Sequence, residues 1–175
     1  MESLTEKLGF ILARRSIRVY APGDVTEQQV QMMLSAAMAS PSAGAKCPWR
    51  FVVVRERQIL SQLAAVLPHG QMLMGAALCI AVCGDLEETH GEQLSYLLQD
   101  CAASAENLLL AGHILGLGTC WLGVHPREDR IKNVKHILTL PHAVIPVACI
   151  SVGHPGESKE PHATYDSTRV HFEKW

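Results

Sequence analysis

Apolar residues recur along most of the chain at the spacings of helices and strands, and short stretches rich in glycine, proline and polar residues separate them. Capping-box pairs predict two helices near the N-terminus: Ser3 pairs with Glu6, and Thr26 pairs with Gln29. The apolar spacing carries the first of these helices up to Arg14. Two further segments have the spacing of amphipathic helices: "RQILSQLAAVL" and "REDRIKNVKHIL".

Four short apolar runs are too rich in β-branched residues or too short for helices, and they predict buried strands: "WRFVVVR", "LCIAVCGD", "TCWLGV" and "AVIPVACISVG". Strands and helices alternate, which predicts a layered α/β or α+β domain. A chain of 175 residues with 48% hydrophobic content is enough for one core. We therefore expect a single domain over 1–175, in which the polar segment 153–175 wraps a surface.

The longest predicted helix begins at about Glu92 and ends at Leu115, before Gly116. Its apolar residues are spread around most of its circumference. A helix of this kind runs through a core or an interface between subunits, because no face of it is polar enough for solvent.

Charge and cysteine usage exclude several classes of function. Fifteen basic and seventeen acidic residues give a formal charge of -2, which is not the charge of a nucleic-acid-binding protein. The N-terminal sequence lacks the pattern of a secretory signal and no apolar run is of membrane-spanning length, so we expect a cytoplasmic protein without a membrane partner. The six cysteines are typical of buried free thiols. Cys79 and Cys83 would share one strand face in the core, and no histidine spacing predicts a metal site.

Arg14, Arg15 and Arg18 form a local cluster of positive charge behind the first predicted helix. Cations at this position are favourable because the C-terminal end of a helix is the negative end of its dipole. The alternative is a binding role, because arginine has a planar fork that suits phosphate oxygens and Ser16 adds a hydroxyl between two such forks. A phosphate monoester would be the ligand of such a cluster.

Two loop-like segments have more than one interpretation. "GLGTCWLG" is not a dinucleotide fingerprint, because it follows a helix and Trp121 stands at the third glycine position. Gly116 then ends a helix, and Gly123 allows close approach of something flat. "SPSAGAKCPW" is either a tight helix-to-strand connection or part of a site. No Gly-x-Ser-x-Gly elbow is present, so nothing indicates a serine hydrolase.

Four pieces of the chain, in order and at the expected separations, resemble the FMN-dependent nitroreductase family: "RRSIRVY", "SPSAGAKCPWRFVVV", "QDCAASAENLLLAGHILGLGTCWLGVHP" and "SVGHPGE". The resemblance implies an α+β fold, a three-layer sandwich with a central β-sheet flanked by helices, in an intertwined homodimer. It implies one FMN in each of two interface clefts. NADH or NADPH would reduce the flavin, and a small-molecule acceptor such as a nitroaromatic or a quinone would follow in a ping-pong cycle, with no catalytic side chain.

The resemblance also implies the cofactor contacts. Phosphate and ribityl contacts would come from Arg14, Arg15 and Ser16, and Arg18 would lie near the pyrimidine edge of the flavin. The partner subunit would supply three residues that border the ring system: Pro41, Ser42 and Ala43. The backbone N–H groups of Leu122 and Gly123 would face flavin N5 and O4, and the tail would add Lys159 and His162 near the phosphate.

The chain departs from the family pattern at four positions. Ala45 stands where the family usually has Asn, Cys47 where it has Gln, and His162 and Thr164 where many members have basic residues. These departures leave the choice of substrate and the strength of FMN binding open. They also leave two alternatives to an enzyme, namely a flavin-binding sensor or carrier and a structural dimer without cofactor.

Overall fold

The computed structural model describes residues 4–162 and 165–175, so the predicted Ser3 cap and Thr164 lie outside the described residues. Five α-helices occur in the described part of the chain: α1 (Leu4–Ala13), α2 (Glu27–Met38), α3 (Arg57–Val66), α4 (Leu94–Ile114) and α5 (Glu128–Ile137). The Thr26–Gln29 capping box is confirmed. The Gln29 N–H donates to Thr26 Oγ1 at 3.2 Å and the Thr26 N–H donates to Gln29 Oε1 at 2.9 Å.

The sheet has five strands: β1 (Tyr20–Ala21), β2 (Trp49–Val54), β3 (Leu78–Asp85), β4 (Gly118–Gly123) and β5 (Val144–Pro155). All pairings between these strands are antiparallel. β5 is central, because it pairs with β1, β3 and β4, while β2 pairs with β3. The four longer strands confirm the predicted ones, and the two-residue β1 was not predicted.

Helices cover both faces of the sheet, which confirms the α+β three-layer arrangement. On β3, Ile80 and Val82 belong to the core formed with α2 and α4. Cys79 and Cys83 alternate with them and belong to the core formed with α3 and α5. Both thiols are buried and free, so their predicted place on one core face is confirmed. Burial on both faces explains why this strand is a continuous apolar run.

The predicted start of the long helix at Glu92 was wrong by two residues. Gly91 and Glu92 have φ of 59° and 52°, left-handed values that end a short 3₁₀ turn before α4 begins at Leu94. The other end agrees with the prediction, because Gly116 has φ of 73° directly after the helix. Over the described residues, no helix has the length and apolarity needed to cross a membrane.

Candidate functional site

The segment from Arg14 to Val19 leaves α1 and lies beside the start of β4. Ser16 forms a parallel bridge with Thr119, and the Ile17 N–H donates to the Thr119 carbonyl at 2.9 Å. Gly118 permits this approach, since a Cβ at that position would lie 2.7 Å from Ile17 Cγ2. Backbone contacts with the sheet therefore fix the place of the predicted arginine cluster.

The first two arginines of the cluster point to different partners. Arg14 Nε lies 3.3 Å from Glu106 Oε1 on α4. The Arg15 guanidinium donates to the backbone carbonyl of Glu160. Within the described part of the chain, neither guanidinium donates to a carbonyl at the end of α1. The described contacts of these two side chains are therefore with α4 and with the stretch after β5, and the binding role of the cluster stays a prediction.

The segment that follows β5 brings two further charges to the cluster. Lys159 Nζ donates to the Ser16 carbonyl at 2.8 Å and lies 2.9 Å from Glu157 Oε1. Glu157 Oε1 also accepts the N–H groups of Arg18 at 2.6 Å and Val19 at 3.3 Å. The Arg18 N–H and then the Lys159 ammonium hold the pKa of the Glu157 carboxyl below its usual range. Glu157 is therefore an anion that ties both segments together.

Cys120 on β4 lies among these groups. Burial raises the pKa of its thiol, and the charge of Arg18, a hydrogen bond from Ser16 and the charges of Lys159 and Arg14 act in the opposite direction. Two distant stretches of the chain meet at this strand, because Ser16 is bridged to Thr119 and the Lys159 ammonium donates to the Ser16 carbonyl. An adjoining cavity of 240 Å³ has Arg15, His113, Thr119 and Lys159 in its walls.

A second cavity, of 220 Å³, lies along the other end of β4. Its walls include Arg18, His69, Trp121, Gly123 and Arg130. The Arg130 guanidinium donates to the Gly123 carbonyl at 2.9 Å, which fixes the end of the strand. A Cβ at Gly123 would meet no atom within 4 Å, so this backbone faces open space. A flat group could approach the strand here.

Strand alternation decides which N–H groups of β4 face this space. The Thr119 carbonyl points away from β5, because it accepts from Ile17. Two-residue alternation then directs the N–H groups of Trp121 and Gly123 outward and that of Leu122 toward β5. Of the two predicted backbone donors, a single chain thus offers Gly123 to the cavity, while Leu122 N–H lies in the ladder.

The loop with Pro41, Ser42 and Ala43 is held elsewhere on the chain. The Ala43 N–H donates to Asp100 Oδ1 on α4 at 2.9 Å, and Asp100 is only 5% exposed. Ser42 Oγ accepts the Cys47 N–H at 2.9 Å. Among the contacts of residues 4–162, the structure does not bring this loop to the arginine cluster.

The two anchor points on α4 have different directions. Asp100 holds the loop and Glu106 holds Arg14, and both belong to α4. Six residues of helix separate them by about 9 Å along the axis and by roughly 120° around it. In one chain the loop and the cluster therefore face different sides of the helix.

His162 is exposed and lines a cavity with Tyr165, Asp166, Ser167 and Arg169. Two residues before His162, the backbone carbonyl of Glu160 accepts a hydrogen bond from Arg15. The predicted contact of His162 with a phosphate stays a prediction. Over residues 4–162 and 165–175, no three His, Cys, Asp or Glu side chains are grouped as a metal site would need.

Three residues of the site were not predicted. Glu157 was part of a recognised stretch, "SVGHPGE", but its bonds to Arg18 and Val19 join positions far apart in sequence. Arg130 and His69 had no signal, because a single basic residue in a helix or a loop is ordinarily solvated.

Comparison with known proteins decides the family. The sequence profile described as Nitroreductase family matches residues 11–69 and 62–154. The chain belongs to the nitroreductase family. A protein of Archaeoglobus fulgidus with the provisional name NADH dehydrogenase/NAD(P)H nitroreductase is 39% identical over 175 residues, which cover 98% of this chain and 100% of the relative.

Solved structures of family members agree with the fold. A Bacteroides thetaiotaomicron protein of the same provisional name has a TM-score of 0.93 and 35% identity, over 99% of this chain and 100% of that one. A provisionally named nitroreductase of Desulfovibrio desulfuricans, solved in complex with FMN, has a TM-score of 0.83 and 29% identity, over 100% and 99% of the two chains. The resemblance suggested by the sequence is confirmed.

Proposed function

We propose that the chain is an FMN-dependent oxidoreductase that uses NADH or NADPH to reduce small-molecule acceptors, such as nitroaromatic compounds and quinones, in a ping-pong cycle. The observation that carries the proposal is that the arginine segment is bridged to Thr119 at the start of β4 and bonded to Lys159, beside strand backbone that faces open space at Gly123. The names of the relatives support it, because they include NAD(P)H nitroreductases and an FMN reductase.

The donor set fits a phosphate monoester that carries a flat ring. Arginine forks and a hydroxyl are suitable donors to phosphate oxygens, and they lie at the start of β4. At the other end of the strand, the Gly123 N–H and the Arg18 side chain border a separate cavity. FMN has both parts, so we assign its phosphate to Arg14, Arg15 and Ser16.

Bound FMN would supply the hydride-transfer chemistry between nicotinamide and acceptor. The chain's own residues bind and orient it. Arg18 and Arg130 both line the cavity at Gly123, so fixed positive charge surrounds the position assigned to the pyrimidine edge. Preorganised cations of this kind stabilise negative charge without reorganisation during the reaction. No side chain of the chain is required to transfer a proton.

We further propose an intertwined homodimer in which Pro41, Ser42 and Ala43 of each chain border the cleft of its partner. The anchors on α4 support this, because they lie roughly 120° apart around the helix, so the loop and the arginine cluster of one chain face different sides of it. Apolar side chains exposed in the single chain also support it: Leu8, Phe10, Ile11, Leu12, Ile114, Phe172 and Trp175. Sedimentation of the FMN-loaded protein should give twice the 19.1 kDa chain mass, and a stable monomer would contradict the dimer.

An anaerobic reduction experiment tests the oxidoreductase proposal. NADH or NADPH is added to the FMN-loaded protein, and the flavin absorbance is followed before and after an acceptor is added. We expect the absorbance to bleach with the nicotinamide and to return with a nitroaromatic compound or a quinone. A bound FMN that neither nicotinamide bleaches would instead favour a sensor or carrier.

A further inference from the structure

We infer that Glu157 is a positioning residue for the cofactor site, because its carboxylate holds the backbone of the arginine segment in place. The inference rests on the proposed function, since residues 14–18 are the segment assigned to FMN. Glu157 lies in the wall of the 240 Å³ cavity, but as an anion it would not itself bind a phosphate. Its effect would come through Arg18, Ser16 and Lys159.

The contacts converge on a single oxygen. Glu157 Oε1 accepts the Arg18 N–H at 2.6 Å and the Val19 N–H at 3.3 Å. The same oxygen lies 2.9 Å from Lys159 Nζ, which also donates to the Ser16 carbonyl at 2.8 Å. One carboxylate thus links three successive parts of the segment to the chain that follows β5.

Backbone fit brings Glu157 to this position. The Gly156 N–H donates to the Val19 carbonyl at 2.8 Å. A Cβ at Gly156 would lie 2.9 Å from the backbone carbon of Tyr20, so a larger residue there would push the two stretches apart. The close approach places the Glu157 side chain under the N–H groups of Arg18 and Val19.

The segment needs such an acceptor. Arg18 and Val19 lie between the Ser16–Thr119 bridge and the short strand β1. In the described structure their N–H groups bond to the Glu157 carboxylate. Loss of the carboxylate would leave two backbone donors and the Lys159 ammonium without this partner. The segment would then leave the geometry that directs Arg14, Ser16 and Arg18.

If Glu157 positions the segment, its loss should weaken FMN binding more than the loss of a neighbouring carboxylate that makes no such contacts. Glu157→Ala removes the acceptor, and Glu160→Ala removes a carboxylate of equal charge from the same stretch. The matched control is suitable because the contact of Glu160 with Arg15 uses its backbone carbonyl, which the substitution keeps.

The dissociation constant for FMN is measured by titrating apo-protein of both variants and of the wild type, well below their unfolding temperatures. We expect Glu157→Ala to weaken FMN binding roughly tenfold or more, and Glu160→Ala to weaken it less. A merely structural role would lower the unfolding temperature and leave the dissociation constant unchanged. If the loss in Glu157→Ala is no larger than in Glu160→Ala, the inference is overturned.

Amide hydrogen exchange of the wild-type apo-protein tests the hydrogen bonds of the Glu157 carboxylate without any variant. We expect the N–H groups of Arg18 and Val19 to be protected relative to exposed amides of the tail. Exchange as fast as in the tail would overturn the inference even if Glu157→Ala fails to fold. A wild type that shows protection but no FMN binding would contradict the proposed function alone.

Discussion

The arginine segment and the loop around Ala43 are the two proposed walls of one cleft, but a single chain supports them differently. The segment is bonded to β4, to α4 and to the stretch after β5, through Thr119, Glu106 and Glu157. The loop is anchored to α4 by the buried carboxylate of Asp100, and Asn107 on the same helix donates to the Ser40 hydroxyl directly before the loop. The segment is thus preorganised by many polar contacts, whereas the loop depends on few.

The backbone of the loop adds to this difference. Ala45 and Cys47 have φ of 54° and 51°, left-handed values that cost residues with a Cβ about 1–2 kcal/mol each. Asparagine tolerates this conformation better than alanine, and the family usually has asparagine at position 45. The chain therefore departs from the family pattern in the loop proposed to border the ring system, and it departs again at His162 in the tail proposed to lie near the phosphate.

The largest expected effect comes from a substitution in the arginine segment that removes a proposed phosphate contact. Arg14→Ala should weaken FMN binding by about ten- to a hundredfold, because a hydrogen bond to a charged group contributes about 1.5–3 kcal/mol. Riboflavin has no phosphate, so its affinity should change little. Titration of apo-protein with both ligands measures this, and Arg55→Ala is the control, since Arg55 pairs with Glu27 away from the site. Equal losses for both ligands would assign Arg14 to a structural role.

The next effect breaks the anchor of the loop. Asp100→Ala should lower the free energy of unfolding by about 1–3 kcal/mol, because the Ala43 N–H loses its acceptor and a buried site loses its side chain. Gln99→Ala changes the neighbouring exposed position and should have little effect. Denaturant unfolding compares the two variants. Similar losses would mean that Asp100 does not hold the loop.

A smaller effect is expected from a substitution that relieves the backbone strain at Ala45 in the loop. Ala45→Gly should raise the free energy of unfolding by up to about 1 kcal/mol, because glycine adopts a left-handed φ without a Cβ clash. Ala43→Gly, in the same turn, has no positive φ to relieve and should be neutral or destabilising. Thermal unfolding of both variants measures the difference. A loss of stability in Ala45→Gly would contradict the strain.

The smallest effect is the pH dependence of the stability that the Glu157 carboxylate contributes. The pKa of Glu157 is lowered in the folded chain, so its stabilising contribution is complete above its ordinary value of 4.5. That contribution is lost as the pH falls through the lower, folded-state pKa. The stability difference between wild type and Glu157→Ala should be constant near neutral pH and shrink below 4.5. A difference that grows on acidification would contradict this sign.

Local signals predicted the fold well, and long-range contacts were not predicted. The Thr26–Gln29 cap and the apolar run of β3 act within a few residues, so their sequence patterns suffice. The start of α4 was wrong because Glu92 takes a left-handed φ that glycine or asparagine would ordinarily signal. The bond of Glu157 to Arg18 joins residues 139 apart, and no local pattern encodes it.

The candidate site divides in the same way. The family resemblance selected Arg14, Ser16 and Arg18, and the structure places their segment beside the start of β4. It could not separate the roles of Leu122 and Gly123, because the direction of each N–H depends on the pairing of β4 with β5. Arg130 reaches Gly123 from α5, and this contact requires the packed layers.

The most direct test of the account is the affinity of wild-type apo-protein for FMN compared with riboflavin. The two ligands differ only in the phosphate, so their ratio reports whether the arginine segment binds one. We expect FMN to bind at least about tenfold more tightly, as a charge-assisted contact predicts. Equal affinities, or no binding of either flavin, would contradict the assignment of the arginine segment to the phosphate.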